Sequence, residues 1–373
     1  MRRDNRSYKR RKRSPLFIGI TFRLVLTIAA IALVISYLSI FFNPIKFSLP
    51  LFFGLYYVPI LAINIILLIA SLLRRSKSAI IPILAILPSI IFCNLFYKFS
   101  DREQEPPKEN SIKIESYNVG TFISSSPKLN RDLCRESVIN HISNSNPQIA
   151  CFQEFYLNSK EQLDTLFPNY KYKHSHLFKL RNGKYFGNVI LSKYPIIKSG
   201  DISFKKSTNL SIYADIKYKE DTIRLYNNHL ESYNVSFTSI IKKFNKRENI
   251  QGDTIRHDIK IVHNKMRETF KKRSAQVNEI LNNIEKSYHP TIICGDFNDT
   301  PMSYTYYKLS KNHKDSFRES GSQFGSTFAP LWPLLRIDYI LYPKEFSSIN
   351  HTTHKIKLSD HYPISTEIII EKK

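Results

Sequence analysis

Cysteine is scarce in this sequence, with four residues among 373. Their spacing forms none of the paired Cys or Cys/His patterns of a zinc site. Each falls inside a predicted apolar run or helix, at Cys93, Cys134, Cys151 and Cys294. We therefore expect buried, unpaired thiols, which behave as small apolar side chains.

Acidic residues are nearly absent from the first 98 positions, where Asp4 stands alone against 14 Lys and Arg. Charge of either sign is missing from three apolar runs there, residues 24–42, 49–73 and 78–97, and each run reaches the ~20 residues needed to cross a bilayer. The first run lacks the cleavage site of a signal peptide, and two more runs follow it. The sequence predicts an N-terminal membrane region, residues 1–98, with three transmembrane helices at about 17–42, 49–73 and 78–97.

Basic residues flank these runs unequally. The segment before the first run and the loop before the third are rich in Lys and Arg, whereas the remaining loop holds only Lys46. The positive-inside rule then places the N-terminus in the cytoplasm. Three spans place the rest of the chain on the other side of the cytoplasmic membrane, in the periplasm or outside the cell. If the third run failed to span, the domain would be cytoplasmic and DNA a more suitable substrate.

Residues 99–110 form a polar linker with two prolines, and short apolar runs bounded by turn residues follow. At least seven strands, with helices at 132–145 and 268–285, fit a mixed α/β sandwich over residues 111–373. Residues 233–272 carry more Lys and Arg than acids and are predicted to be a basic helical insertion. That insertion is either a solvated face or a surface that contacts anionic lipid or a polyanionic substrate.

One apolar run ends in a cluster of polar side chains. Residues 291–301 read TIICGDFNDTP, in which a short buried strand reaches Gly295 and is followed by Asp296, Asn298 and Asp299. Carboxylates at the end of a buried strand are costly unless a positive group lies beside them, and a divalent cation commonly fills that place. An acidic turn without function is the alternative.

Similar side chains stand where other predicted strands end. Each of them alone has an ordinary explanation as a turn, cap or surface residue. Strand ends at one edge of a sheet converge in space, however, so that together they predict one site. The candidates are Asn118, Glu154, His229, Asp296, Asn298, Asp338, Asp360 and His361.

The order of these blocks resembles a known family. SYNVG, FQE, NVILSKYPI, NNHLES, CGDFNDTP, RIDYIL and SDHYPI are similar to successive signature blocks of the endonuclease/exonuclease/phosphatase superfamily, over about residues 112–370. The resemblance implies the fold of DNase I, a four-layer αββα sandwich with one active site at the edge of both sheets. Bacterial relatives with several N-terminal spans look most similar.

The resemblance also implies hydrolysis of phosphodiesters or phosphomonoesters with Mg²⁺, or with a similar cation such as Mn²⁺ or Ca²⁺. Carried over to this sequence, Glu154 is the main metal ligand, with Asn118 and Asp360 close by. Carboxylate and amide oxygens are the ligands that such hard cations prefer. No further cofactor is implied.

The remaining residues take catalytic roles by the same resemblance. Asp296 would orient or deprotonate the attacking water, and Asn298 would hold a phosphate oxygen. His361, paired with Asp338, would carry the proton, because an Asp–His pair keeps an imidazole ready for proton transfer. His229 would lie near the phosphate or the leaving group.

These blocks do not determine the substrate, since the superfamily includes nucleases, inositol-phosphate phosphatases and sphingomyelinases. We expect a membrane-anchored phosphodiester hydrolase that acts on nucleic acid or on a lipid head group, with membrane lipids around its spans and no obligate protein partner evident. A phospholipid or inositol-phosphate phosphatase is an alternative. A rival of another class is an inactive membrane receptor or scaffold that binds a phosphorylated ligand, although such a relative would be expected to lose an acidic or histidine position.

Overall fold

Two six-stranded β-sheets stacked face to face form the centre of the domain that follows residue 110. The computed structural model describes residues 16–100, 104–124, 129–205, 207–233 and 252–370. Residues 234–251 of the predicted basic insertion and the basic segment before residue 16 lie outside these described residues.

The described residues form both strands and helices. The strands are β1 (Tyr97–Lys98), β2 (Ser111–Asn118), β3 (Ile149–Leu157), β4 (Tyr172–Lys179), β5 (Tyr185–Ser192), β6 (Ile196–Ser203), β7 (Leu210–Tyr218), β8 (Asp221–His229), β9 (Thr291–Asp296), β10 (His313–Asp315), β11 (Gln323–Phe324), β12 (Asp338–Pro343), β13 (Ser347–Thr353) and β14 (Ile364–Ile369). The helices are Leu16–Leu38, Leu49–Leu55, Tyr57–Leu73, Ile80–Ile86, Ser89–Phe92, Arg131–Ser145, Gln162–Leu166, Gly252–Ile284, Tyr304–Ser310 and Ser316–Ser320.

Each sheet is antiparallel apart from one central parallel pair. The first sheet has the order β13-β14-β2-β3-β5-β4, with β2 and β3 parallel. The second has the order β10-β12-β9-β8-β7-β6, with β8 and β9 parallel. Parallel neighbours end at the same edge, so each sheet presents two strand ends there.

Apolar side chains from both sheets fill the space between them. Ile114 and Ile149 of the first sheet belong to one buried cluster with Leu225 and Ile292 of the second. Burying one such side chain contributes about 1.5–3 kcal/mol, so this layer is the main source of stability in the domain.

One helix packs on the outer face of each sheet. Arg131–Ser145 begins where the Asn130 side chain accepts a hydrogen bond from the Leu133 amide, and it buries Val138 and Ile142 against the first sheet. The helix Gly252–Ile284, called the long helix below, covers the second sheet. The predicted four-layer α/β sandwich is thereby confirmed, and the long helix begins earlier than the predicted residue 268.

Several strands were not predicted, among them β4, β6 and β13. All three are only partly buried, because each is an edge strand: β4 and β13 are the two edges of the first sheet, and β6 is an edge of the second. Their mixed polar sequences give no clean alternation. The four cysteines are unpaired, as predicted.

The prediction of three membrane helices requires correction. Within the described residues, two helical segments are long and apolar enough to cross a membrane, Gly19–Phe41 and Lys77–Leu95. The second predicted span, residues 49–73, is broken into Leu49–Leu55 and Tyr57–Leu73, whose axes differ by 71°. Only if this bent pair counts as one span does the number return to three.

Proline explains the break. In a continuous helix the amide of residue 59 would donate to the carbonyl of Leu55, but Pro59 has no N–H and its ring clashes with that carbonyl. The first helix therefore ends at Leu55, and Tyr56 leaves the helical conformation with φ −95° and ψ 19°.

The segment that precedes the break is docked on the sandwich. The Ser39 hydroxyl donates to the Met302 carbonyl at 2.7 Å, and the Phe52 ring stacks on His263 of the long helix with centroids 4.6 Å apart. Gly54 lies so close that a Cβ there would collide with the Ser39 hydroxyl and the Met302 carbonyl. Only glycine allows this approach.

Gly54→Ala is expected to push the helix Leu49–Leu55 away from the sandwich, because overpacking of this kind costs about 1–3 kcal/mol. The midpoint of thermal unfolding of the full chain in detergent should fall. Gly19→Ala is the matched control, since no described atom lies within 4 Å of a Cβ at that position. Equal midpoints for the two variants would contradict the docked arrangement.

Candidate active site

The carboxyl ends of the central strands meet at one edge of the sandwich. His229 lies opposite Asp296 in the β8–β9 pair, and Asp296 lies opposite Asp338 in the β9–β12 pair. Asn118 ends β2, and its partner in the parallel neighbour β3 is Gln153, directly before Glu154. The structure brings together every residue predicted for the site: Asn118, Glu154, His229, Asp296, Asn298, Asp338, Asp360 and His361.

Asp296 lies at the centre of this group and is 1 % exposed. Its Oδ2 accepts hydrogen bonds from Asn118 Nδ2 at 2.9 Å and Asn298 Nδ2 at 3.0 Å, and its Oδ1 accepts from the Asn298 amide at 2.8 Å. Burial raises the pKa of Asp296 to about 6, and the neighbouring His361 limits the rise. A carboxylate with a pKa this close to neutrality can accept a proton from water.

His361 and Asp338 form a buried pair. Nδ1 of His361 and Oδ2 of Asp338 are 2.9 Å apart, and the Asp338 amide donates to the Thr327 hydroxyl at 3.1 Å. Burial by itself lowers the pKa of His361, but the Asp338 and Asp296 carboxylates outweigh it and hold the pKa well above its ordinary value. The imidazole is therefore charged, and its Nε2, 3.8 Å from Oδ2 of Asp296, faces the centre of the site.

Glu154 projects from a bulge in β3. The register with β5 shifts between Phe152 and Phe155, and Glu154 has a φ of 52° at that point. Such a backbone costs about 1–3 kcal/mol for a residue other than glycine, so its surroundings must hold it. The side chain is 31 % exposed, with Oε1 3.4 Å from Asn118 Nδ2 and 3.5 Å from His229 Nε2. The bulge turns this carboxylate out of the sheet.

Buried amide side chains tie the two sheets together behind the bulge. Gln153 Nε2 donates to Asn227 Oδ1 at 2.6 Å, and Asn227 Nδ2 donates to the carbonyls of Phe152 and Val189, each at 2.9 Å. Asn227 belongs to the second sheet and its three partners to the first. These bonds therefore fix the distance between the sheets at the edge that carries the site.

The open pocket at this edge, called the site pocket below, has a volume of about 230 Å³. The carboxylates of Glu154 and Asp360 both line it, and hard oxygen donors that reach solvent suit Mg²⁺ or a similar cation. Asn118 presents its amide nitrogen to the carboxylates and its oxygen to the Gly120 amide at 3.0 Å. It would ligate a cation only with the amide turned over.

Asp296, Asp338 and His361 form a second group whose donor atoms lie within 4.8 Å of one another. All three are buried, and the imidazole already bonds to Asp338. With Nδ1 bonded to Asp338, the imidazole can exchange a proton through Nε2, and the carboxylates of this group are also of a kind that can hold a cation.

Arg273 was not among the predicted site residues, and it is fully buried in the long helix. Its Nε lies 3.3 Å from Oδ2 of Asp299, and it donates to the main-chain carbonyls of Asn298 and Glu231. The Tyr233 ring lies 4.3 Å from its guanidinium carbon. Arg273 and Asp299 therefore fix the loop that carries Asn298, and Asp299 has a structural role.

Arg273→Met is expected to leave the Asp299 carboxylate buried without its partner, which typically costs about 3–5 kcal/mol. Urea unfolding of the full chain in detergent measures the loss. Lys271→Met, two residues away on the same helix, removes only an exposed pair with Glu268 at 2.9 Å, which is worth about 0–1 kcal/mol. A loss for Arg273→Met no larger than for Lys271→Met would show that the pair does not support the loop.

Comparison with known proteins agrees with this geometry. Residues 116–361 match the model of the Endonuclease/Exonuclease/phosphatase family, and residues 19–96 match a domain of unknown function, DUF8431. No curated protein matches the chain.

Solved structures share the fold of the sandwich at low sequence identity. An endonuclease/exonuclease/phosphatase from Beutenbergia cavernae is 14 % identical, with a TM-score of 0.53 over 70 % of this chain and 72 % of that one. A functionally unknown conserved protein from Enterococcus faecalis is 18 % identical, with a TM-score of 0.51 over 70 % and 100 % of the two chains. The human Nocturnin catalytic domain is 17 % identical, with a TM-score of 0.51 over 71 % and 97 %. These likenesses support the predicted DNase I-like sandwich.

Proposed function

Because the chain belongs to the endonuclease/exonuclease/phosphatase family, we propose that it is a divalent-metal-dependent phosphodiester hydrolase anchored in a membrane. Members of this family are generally phosphoester hydrolases. One observation carries the proposal: the buried Asp296 lies beside a charged His361–Asp338 pair, while two further carboxylates line the same pocket. Burying several titratable groups together lowers the stability of the fold, and such clusters are typical of catalytic sites. Here the cluster could transfer a proton during hydrolysis of a phosphate ester.

Glu154 and Asp360 would hold the cation in the site pocket. A bound Mg²⁺ or similar ion neutralises charge on the non-bridging phosphate oxygens. Glu154 is suited to this because its bulge exposes one carboxylate edge to the pocket. Asp360 lies beside Gly120, whose φ of 51° and close approach to the Ser359 hydroxyl leave no room for a side chain.

Asp296 would orient the attacking water and take its proton, since its raised pKa makes it a base near neutral pH. Asn298 would bind a phosphate oxygen by releasing one of the two hydrogen bonds that its Nδ2 donates, to Asp296 Oδ2 at 3.0 Å and to the Leu230 carbonyl at 2.9 Å. His361 would stabilise charge on the phosphate or give its proton to the leaving oxygen. His229 would assist near the phosphate or the leaving group, and its Nε2 lies 3.5 Å from Glu154 Oε1.

Glu154→Gln and His361→Asn are each expected to lower kcat for a phosphodiester in Mg²⁺ by about a hundredfold or more, because each removes a group that acts in the transition state. Removing the cation with a chelator should abolish turnover, and adding Mg²⁺ should restore it. Glu220→Gln is the control, since Glu220 lies in the turn at the far end of the β7–β8 hairpin. Wild-type activity in the two site variants would contradict these assignments.

We also propose that the N-terminus is cytoplasmic and the sandwich lies outside the cytoplasmic membrane. This requires Tyr57–Leu73 to cross as well as the two longer segments. Its 17 residues extend about 25 Å, which is at the lower limit for a span. The basic residues Arg74 and Arg75 that follow it favour the cytoplasmic side.

A phosphatase reporter that is active only outside the cytoplasm, fused after Lys373, is expected to be active in cells. The same reporter fused after Arg75 should be inactive, which controls for leakage. The reverse pattern would contradict the proposed orientation.

A further inference from the structure

The site pocket is lined by two kinds of side chain. The catalytic carboxylates and His361 form its charged lining, and Leu55, Phe328, Leu331, Leu335 and Ile337, called the apolar wall below, form its apolar lining. A small anion would make no favourable contact with this apolar wall. The wall therefore indicates a substrate with an apolar part next to its phosphate.

Leu55 of this wall comes from the N-terminal region. It is the last residue of the helix Leu49–Leu55 and stands at the 71° break before Tyr57–Leu73. Non-helical backbone at membrane depth is tolerated only where protein covers it or where it borders a cavity. Here the break borders the site pocket, so the membrane helices and the catalytic residues meet at that point.

The segment that leads to the break exposes apolar side chains. Phe41, Ile45, Phe47 and Leu49 each expose half or more of their surface. They lie between the end of the first candidate span and Leu55, in continuity with both. Exposed apolar side chains such as these are stabilised when they are buried at the interface between the head groups and the acyl chains of a bilayer.

Aromatic contacts connect the residue after Leu331 with the end of the N-terminal region. Trp332, next to Leu331, lies 5.8 Å from Phe324, and Phe324 lies 4.9 Å from Tyr97 by ring centroids. Tyr97 follows the second candidate span, Lys77–Leu95, by two residues. Aromatic side chains with a polar end prefer the membrane–water boundary.

A nucleic acid fits this site poorly. Proteins that bind nucleic acid neutralise its phosphates with Lys and Arg. Among the described residues that line the site pocket, none is Lys or Arg, although the whole chain carries a formal net charge of +24.

Resting on the hydrolase activity proposed above, we propose that the substrate is a membrane lipid with a phosphodiester head group. The head group enters the site pocket from the bilayer boundary, and its apolar chain lies between Leu55 and Leu331. Hydrolysis adds water across one phosphorus–oxygen bond, so the phosphate gains one oxygen and the leaving oxygen takes up a proton.

Two esters that differ only in their tails test the proposal. Hexadecyl p-nitrophenyl phosphate and ethyl p-nitrophenyl phosphate share the same scissile bond and chromophore. The full chain in dodecyl maltoside micelles, with Mg²⁺, is expected to hydrolyse the hexadecyl ester with a kcat/KM at least about tenfold higher, as is usual for a filled apolar pocket. Thymidine 5′-(p-nitrophenyl phosphate) provides the nucleotide comparison.

Partition of the long ester into micelles would raise its rate for any variant, so variants decide whether the wall contributes. Leu55→Asn and Leu331→Asn are each expected to lower the hexadecyl-to-ethyl ratio by about tenfold. Leu133→Asn is the matched control, because Leu133 is exposed on the helix Arg131–Ser145 outside the other sheet, and it should leave the ratio unchanged. Leu331 ends the short 3-10 turn Ala329–Leu331 and is exposed, so its variant tests the wall even if Leu55→Asn fails to fold.

The outcomes separate this proposal from the one on which it rests. If both esters are hydrolysed at equal rates, or if the ratio is the same in the wall variants and Leu133→Asn, the lipid proposal is wrong and the hydrolase stands. A preference for the thymidine ester would likewise overturn the lipid and favour nucleic acid. If no ester is hydrolysed with Mg²⁺, Mn²⁺ or Ca²⁺, the hydrolase itself is wrong.

Discussion

The buried carboxylate of Asp296 is the constraint on which the site depends. It has almost no contact with water, so its charge must be balanced by hydrogen bonds and by His361. One of those bonds comes from Asn118 in the other sheet, and another from Asn298 in the loop that follows. The carboxylate is satisfied only when the sheets are stacked in register and the loop is closed. Folding and assembly of the catalytic centre are therefore the same event.

The location of the site could be predicted from the sequence because its signals are local. A polar residue directly after an apolar strand is visible in a few letters, as at Asn118, Glu154 and Asp296. Convergence then follows from the geometry of sheets rather than from any detail of packing. The Asp338–His361 pair was expected only from family resemblance, since no spacing rule relates residues 23 positions apart. The roles of these residues in catalysis remain predictions.

What could not be predicted depends on partners that are distant in sequence. Arg273 looks like one more basic residue on a helix, and only its burial against Asp299 gives it a role. The role of Asn227 also could not be predicted, because it depends on hydrogen bonds to residues of the opposite sheet. Pro59 was visible inside the second apolar run, but proline in such a run can kink, break or leave a span intact. Neighbouring packing decides the outcome, and here it gives a break.

The Gly54 contact has a consequence for how the molecule divides into modules. Composition places a boundary near residue 99, where apolar runs give way to a polar linker. Side chains nevertheless pack across that boundary, because Leu51 belongs to one buried cluster with Met266, Phe270 and Tyr304 of the sandwich. Truncation at residue 99 would expose Met266, Phe270 and Tyr304 as an apolar patch that favours aggregation. We therefore expect the smallest unit that folds by itself to be larger than the catalytic domain and to include the helix that ends at Leu55.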